Sequence, residues 1–432
     1  MREEFFVGGK ASSFRPTTDP VSSGKFSVEP AGSADFKTRI VVHRPIDGAD
    51  FSGTVVVEWL NVSGGLDAAP DWTFLHTELI RKGHVWVGVS AQRVGVEGGG
   101  GLVAIPGLPD TSLKGYDPAR YGTLSHPGDS YSYDIYTQVG RLLRSKDAPL
   151  GGLTPAHLLA IGESQSAFRM VTYVNALHLR EHAYDAYLVH SRGAGAAPLS
   201  QEPEEDHPVA SPAYLRDDLD VPVLTFQAET DLFGLGFHAD RQADTALHRT
   251  WEVAGTAHAD LYTLQVGPPD RGDDPSVAGI QLVAEPIPGI VKCDAPVNAG
   301  PQHFVLKAGF AGLEQWMRGG DALPGAPLLE VAGDPPALVR DTHGIAEGGT
   351  RTPHVDVPTA TLSGDAVGGG LCMLFGSTVP FDAAKLASLY PTHAEYVTKV
   401  KASTAAAVAA GYLLAPDAAL IDQQAELSDI GK

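Results

Sequence analysis

The residues of this chain best suited to chemistry begin at Ser164, in the string Gly162-Glu163-Ser164-Gln165-Ser166. A serine hydroxyl becomes a useful nucleophile only when a neighbouring base takes its proton and a third group orients that base. In a nucleophile elbow such a serine sits on a sharp turn between a strand and a helix. Its hydroxyl then stands clear of the sheet, and helix amides face the reacting oxygen. Small residues must flank the turn. Gly162 satisfies this two residues before Ser164, and Ser166 stands two residues after it, where the usual residue is glycine.

The partners follow in chain order. Asp231, in the string AETDLFG, lies just past the apolar run DVPVLTFQ, and His258, in GTAHAD, lies just past RTWEVAG. Each is thus expected on a loop at the carboxyl end of a strand, with Asp231 orienting His258 and His258 serving Ser164 as base. Glu229 is a rival for the acid and His303 a rival for the base. His238 and His248 read as surface or structural residues, and Asp260 as a loop or cap residue. Arg192, beyond the sixth strand, would meet either a substrate oxygen or a salt-bridge partner.

A tetrahedral intermediate also needs amide donors for its oxyanion. The Gln165 N–H is one candidate. The second is sought in the loop WLNVSGG, with the Val62 amide donating, Asn61 shaping the turn, and Gly64 and Gly65 letting the backbone approach. In the competing reading Asn61 only caps a turn.

These side chains need elements to hold them, and strand-like and helix-like runs alternate through most of the chain. Strands are expected at 38–45, 54–61, 84–90, the run leading into the elbow, 183–191, 220–227 and, last, 248–255. Helices are expected at 71–82, with Asp71 as N-cap and Gly83 as stop, and at 132–145, 167–180, 238–248 and 301–318. The alternation predicts an α/β fold with a mostly parallel sheet covered by helices on both faces. Residues 1–318 form the expected core, with loops 91–128, 191–219 and 262–300 as candidate pocket or cap segments. The acidic cluster in the second loop reads as a solvated rim.

From 319 to 432 the texture changes. A Gly- and Pro-rich stretch to 380 precedes helical signals at 382–390 and 392–410, where Thr392 and Glu395 suggest a capping box and Gly411 a stop. This C-terminal extension is expected to pack on the core, lid the site or join subunits.

Composition narrows the function. A formal charge of −21 argues against nucleic acid or an anionic membrane as partner, since both attract cationic surfaces. The two cysteines, Cys293 and Cys372, have no metal-ligand spacing and are expected as buried free thiols. No metal and no organic cofactor is expected; the run Gly98 to Gly101, for instance, lacks the lysine of a phosphate loop. The N-terminus MREEFFVGGK reads as neither export signal nor anchor, which suggests a cytoplasmic protein.

Together with VVVEWLNVSGG, WEVAGTAHAD, APVNAGPQHF and VDVPTATLSG, these motifs give a chain that resembles the alpha/beta hydrolase superfamily over nearly its whole length. More narrowly, it resembles a bacterial group with a Gly-x-Ser-Gln-Ser elbow. The resemblance implies a serine hydrolase with a cap and self-association as a homo-oligomer. The group includes lactonases that open the macrocyclic ester of zearalenone, so a small-molecule ester or lactone is the implied substrate. The alternatives are acyl transfer by the same triad and a non-catalytic binding protein on the same fold. With neutral His258 as base, turnover is expected to decline below about pH 6.5, the unperturbed histidine value.

Overall fold

The computed structural model describes residues 1–102 and 110–432. Eight strands form one sheet: β1 (Arg2–Pro16), β2 (Val28–His43), β3 (Thr54–Trp59), β4 (Val85–Val89), β5 (His157–Glu163), β6 (Ala186–His190), β7 (Val223–Ala228) and β8 (His248–Val253). Their spatial order is β1-β2-β4-β3-β5-β6-β7-β8. The pairs from β4 through β8 are parallel, whereas β2 runs antiparallel to both β1 and β4.

Every residue of β3, β4 and β7 is buried, as parallel strands covered on both faces require. Alternate side chains feed two cores. Val55, Val57 and Trp59 pack with helices Ser132–Leu143 and Gln165–Ala176 through Tyr136, Val139, Met170 and Val174. On the other face, Val56, Leu159 and Ile161 pack with helices Pro70–Arg81 and Gln302–Met317 through Phe74, Leu75, Val305 and Phe310.

Three local outcomes differ from the sequence reading. The N-terminal β1 was not expected, because its charged, glycine-containing sequence lacks a strong apolar pattern. It is held by pairing with β2 along most of its length, from Arg2↔His43 to Pro16↔Val28. Asp71 is not an N-cap but lies in the first turn of its helix, where Pro70 comes first. The cap is supplied by Glu58 of β3, which accepts the N–H groups of Asp71 at 3.1 Å and Trp72 at 2.8 Å. The helix expected at 238–248 is reduced to a single 3-10 turn, Phe237–Asp240. Asp240 is drawn inward there to pair with Arg192 and to accept the N–H groups of Gly195 at 2.7 Å and Ala213 at 3.1 Å.

After residue 318 the chain forms two short hairpins and the helices Ala383–Leu389, His393–Ala409 and Ala415–Leu427, the last of which was not expected. Thr392 caps its helix by accepting the Glu395 N–H. Phe304, Val357, Tyr390, Val400, Leu413 and Ile421 form a shared core that fastens these helices to the 302–317 helix. The buried Lys307–Asp417 ion pair, at 3.0 Å, adds a second tie.

Cys293 and Cys372 are not free thiols: they form a disulfide across 79 residues. Nothing in the spacing reveals this, because the pairing depends on how segments 283–297 and 370–375 pack around Leu261, Val297 and Phe375. Among the described residues, no helix is long and apolar enough to cross a membrane.

Candidate active site

Strand β5 ends at Glu163, and a helix begins at Gln165. Ser164 between them has φ 55° and ψ −120°, a backbone state that non-glycine residues adopt only where the surroundings enforce it. Its N–H donates to the His190 carbonyl of β6 at 2.9 Å, which fixes the turn against the sheet. A Cβ on residue 162 would come within 3.1 Å of the Ser166 Cβ and 3.2 Å of its carbonyl carbon. Both small positions are therefore explained by one close crossing.

The side chains converge as the order of the motifs suggested. His258 Nε2 lies 2.8 Å from Ser164 Oγ, and His258 Nδ1 lies 2.7 Å from Asp231 Oδ1. The second oxygen of Asp231 accepts the Ala228 N–H at 2.7 Å, so the carboxylate is held at both ends. Asp231 is fully buried and His258 only 4% exposed. Burial alone would lower the His258 pKa, but the charge and hydrogen bond of Asp231, with help from Glu163, outweigh it and raise it to about 8. The unperturbed value of about 6.5 used for the sequence expectation therefore does not apply.

The rivals are occupied elsewhere. Glu229 accepts the N–H groups of Gly255 at 2.6 Å and Gly364 at 3.0 Å and pairs with Arg340 at 3.1 Å. His303 is buried and stacked on Tyr262, with ring centroids 3.7 Å apart. His248 bonds Thr225 at 3.0 Å, and His238 stacks on Phe233. Asp260 holds both the N–H and the hydroxyl of Thr263. Arg192 is a salt-bridge residue, buried against Asp240 and away from the pocket.

A cavity of about 660 Å³ opens over Ser164 and His258, a size suited to a small organic ligand. Its apolar wall includes Ala68, Pro70, Phe168, Leu235 and Ala259. Each segment expected to border a pocket contributes: Leu102 from loop 91–128, Ala197 and Pro198 from 191–219, and Thr263 from 262–300. Residues 103–109 of the first loop lie outside the described residues. Leu374 adds a wall residue from the C-terminal extension, and its carbonyl accepts the N–H of Ala259, next to His258, at 3.0 Å.

The expected oxyanion groups are placed unevenly. Gln165 lines the cavity, and as the first helical residue its N–H has no intrahelical acceptor. Asn61 also lines it, and its Oδ1 accepts the Ser63 N–H at 2.8 Å, a contact common to both readings of this residue. Val62 is buried behind Asn61 and Ser63 and is not part of the wall.

Two features escaped the sequence reading. Glu163 sits in the pocket beside His258, although as the middle residue of Gly162-Glu163-Ser164 it was in plain view. A second buried pair, His190 and Asp71 at 2.7 Å, adjoins it through the β5–β6 pairing and had no local signal. Among the described residues, one trio with metal-ligand spacing, His178, His182 and Asp220, stands beyond the far end of the Gln165–Ala176 helix. There His178 Nε2 already bonds Asp220 at 2.6 Å.

A family model described as an alpha/beta hydrolase domain matches residues 1–423, and the chain belongs to that family. No curated protein matches it significantly. Among solved structures it is similar to a putative dienelactone hydrolase from Klebsiella pneumoniae, at 13% identity over 57% of this chain and 85% of that one, with a TM-score of 0.29. A fungal esterase from Rhizomucor miehei matches at 13% identity over 58% and 74%, with a TM-score of 0.31. A serine hydrolase without lid from Xanthomonas campestris matches at 13% over 50% and 78%, with a TM-score of 0.28.

Proposed function

We propose that this member of the alpha/beta hydrolase family cleaves a carboxylic ester or lactone through an acyl-enzyme. The reading is carried by one observation: the hydrogen-bonded line Ser164–His258–Asp231, set on a strained turn at the floor of a largely apolar cavity. His258 takes the Ser164 proton as Oγ attacks the ester carbonyl. The acyl carbon–oxygen bond then breaks, and His258 passes the proton to the departing alcohol. Water, activated by the same imidazole, releases the acid. The Gln165 N–H and a second amide from the Asn61–Ser63 turn, with Val62 as the candidate, hold the oxyanion. This scheme uses no metal or organic cofactor.

The apolar wall suits an uncharged substrate, and a macrocyclic lactone such as zearalenone is the proposed one. For a lactone the acid and alcohol stay in one molecule, so the product keeps the carbon skeleton and gains one water. Mass spectrometry of a panel of aryl esters, aliphatic esters and macrolactones, run in ¹⁸O-water, tests this. One label in the carboxylate of an opened macrolactone is expected. Turnover restricted to simple aryl esters would contradict the lactone assignment.

Self-association belongs to the same proposal. Leu282, Ile290 and Met373, large apolar side chains on or beside the disulfide-linked segments, are 45–57% exposed and support a subunit contact there. Light scattering gives the mass directly, and a monomer at all concentrations would contradict it. The disulfide favours an oxidising compartment over the expected cytoplasm, where thiols are kept reduced. Thiol counting on protein from its native host is expected to find none free, and two free thiols would restore the cytoplasmic assignment.

A further inference from the structure

Glu163 is the last residue of β5 and is only 6% exposed, an unfavourable place for a carboxylate. Burial raises its pKa, against the pull of His258 and His190, to about 7. The contacts of its two oxygens suggest why it is there. Asn61 Nδ2 donates to Oε2 at 3.2 Å and to the Glu163 carbonyl at 3.1 Å, which pins one side of the carboxyl group. The other oxygen, Oε1, then lies 3.4 Å from His258 Nε2, the same nitrogen that faces Ser164 Oγ at 2.8 Å.

The remaining charged groups nearby are committed. His190, paired with Glu163 across β5 and β6, is kept neutral by burial and bonds Asp71. Asp231 stands on the far side of the imidazole. Arg169, on the nucleophile helix, is tied to Asp129 at 3.0 Å. His258 is thus the cation-forming group that Oε1 faces at close range.

We propose that Glu163 is a positioning residue for the base, flanking His258 opposite Asp231 so that the imidazolium formed during acyl transfer lies between two carboxylates. The inference rests on the serine-hydrolase reading. Glu163 gains and loses no proton in the cycle. The proton moves from Ser164 Oγ to His258 Nε2 and on to the leaving oxygen, and Glu163 favours the charged form in between. A merely structural role, holding the 61–65 turn to the elbow through Asn61, makes a different forecast, because Glu163→Gln retains an oxygen for Asn61 and removes only the charge.

The test compares kcat/KM against pH for wild type and Glu163→Gln with a p-nitrophenyl ester. In parallel, the His258 ring nitrogens are titrated by ¹⁵N NMR in the Ser164→Ala background. The acid limb and the ring titration are expected to shift down together by about one pH unit or more on loss of the charge, with partial return in Glu163→Asp. Superimposable profiles and titrations would overturn the proposal. Because the NMR titration needs no turnover, an inactive wild type would defeat the hydrolase reading while still deciding the coupling. Should Glu163→Gln not fold, the wild-type titration decides. With the Glu163 carboxyl followed beside it by ¹³C NMR, a ring shift that moves with the Glu163 step supports the proposal, and a ring shift indifferent to that step overturns it.

Discussion

Glu229 and Asp231 stand two residues apart just past β7, yet their carboxylates point into different parts of the molecule. Asp231 bonds the His258 imidazole, whereas Glu229 collects the Gly255 and Gly364 amides and the Arg340 guanidinium, joining the β8 loop to the C-terminal extension. A short helix, Glu229–Phe233, turns the chain between them.

Substitution at the two positions should separate catalysis from stability. Asp231→Asn is expected to lower kcat by roughly 10³- to 10⁴-fold, as loss of the orienting acid does in a well-studied triad, with little change in melting temperature. Glu229→Ala leaves the buried Gly255 and Gly364 amides without their acceptor and Arg340 with Asp365 alone as its carboxylate, and is expected to destabilise by about 3 kcal/mol while the folded fraction keeps its kcat. Initial rates and denaturant unfolding on the same preparations check both.

The pH profile follows from the His258 environment. Its raised pKa, about 8, means that the imidazolium persists to higher pH than in a free histidine. The base must be neutral to accept the Ser164 proton. kcat/KM is therefore expected to fall about tenfold per unit as pH drops below about 8, rather than below about 6.5. Rate constants measured from pH 5 to 10 in constant-ionic-strength buffers show where the limb lies.

The Cys293–Cys372 link closes a loop of 79 residues, for which chain entropy predicts about 4.5 kcal/mol of stabilisation. Cys372 also precedes Leu374, which lines the pocket and bonds Ala259. Cys293→Ser with Cys372→Ser should lower the denaturant midpoint and raise KM more than it lowers kcat. Unchanged stability with and without reductant would argue against the link.

Arg192 should behave as structure. Its guanidinium is buried and holds Asp240 together with the carbonyls of Gly195 and Ala213. Arg192→Ala strands the Asp240 carboxylate and is expected to cost about 3–5 kcal/mol of stability. A selective rise in KM with no loss of stability, read by thermal melts beside steady-state kinetics, would instead return Arg192 to the substrate.

The sequence was most legible where function imposes local rules. Gly162 and Ser166 flank a crossing too tight for larger side chains, and Asp231 and His258 each stand just past a strand, VLTFQA and HRTWEV, whose β-branched and aromatic residues mark it in the sequence. It was least legible where an element is held by something distant. β1 depends on β2 for its structure, the turn at 237–240 is bent by Arg192, and the disulfide joins cysteines far apart in the chain. Glu163 was readable as a residue but not as a contact, because its meaning comes from Asn61 and His258, which arrive on other loops.

The central claim is that Ser164 is a nucleophile activated by His258. Labelling of the intact protein with a fluorophosphonate, read by peptide mass spectrometry, tests it most directly. One adduct on Ser164 is predicted in the wild type, strongly slowed in His258→Ala and absent in Ser164→Ala. No adduct in folded wild-type protein, or equal labelling in all three, would contradict it.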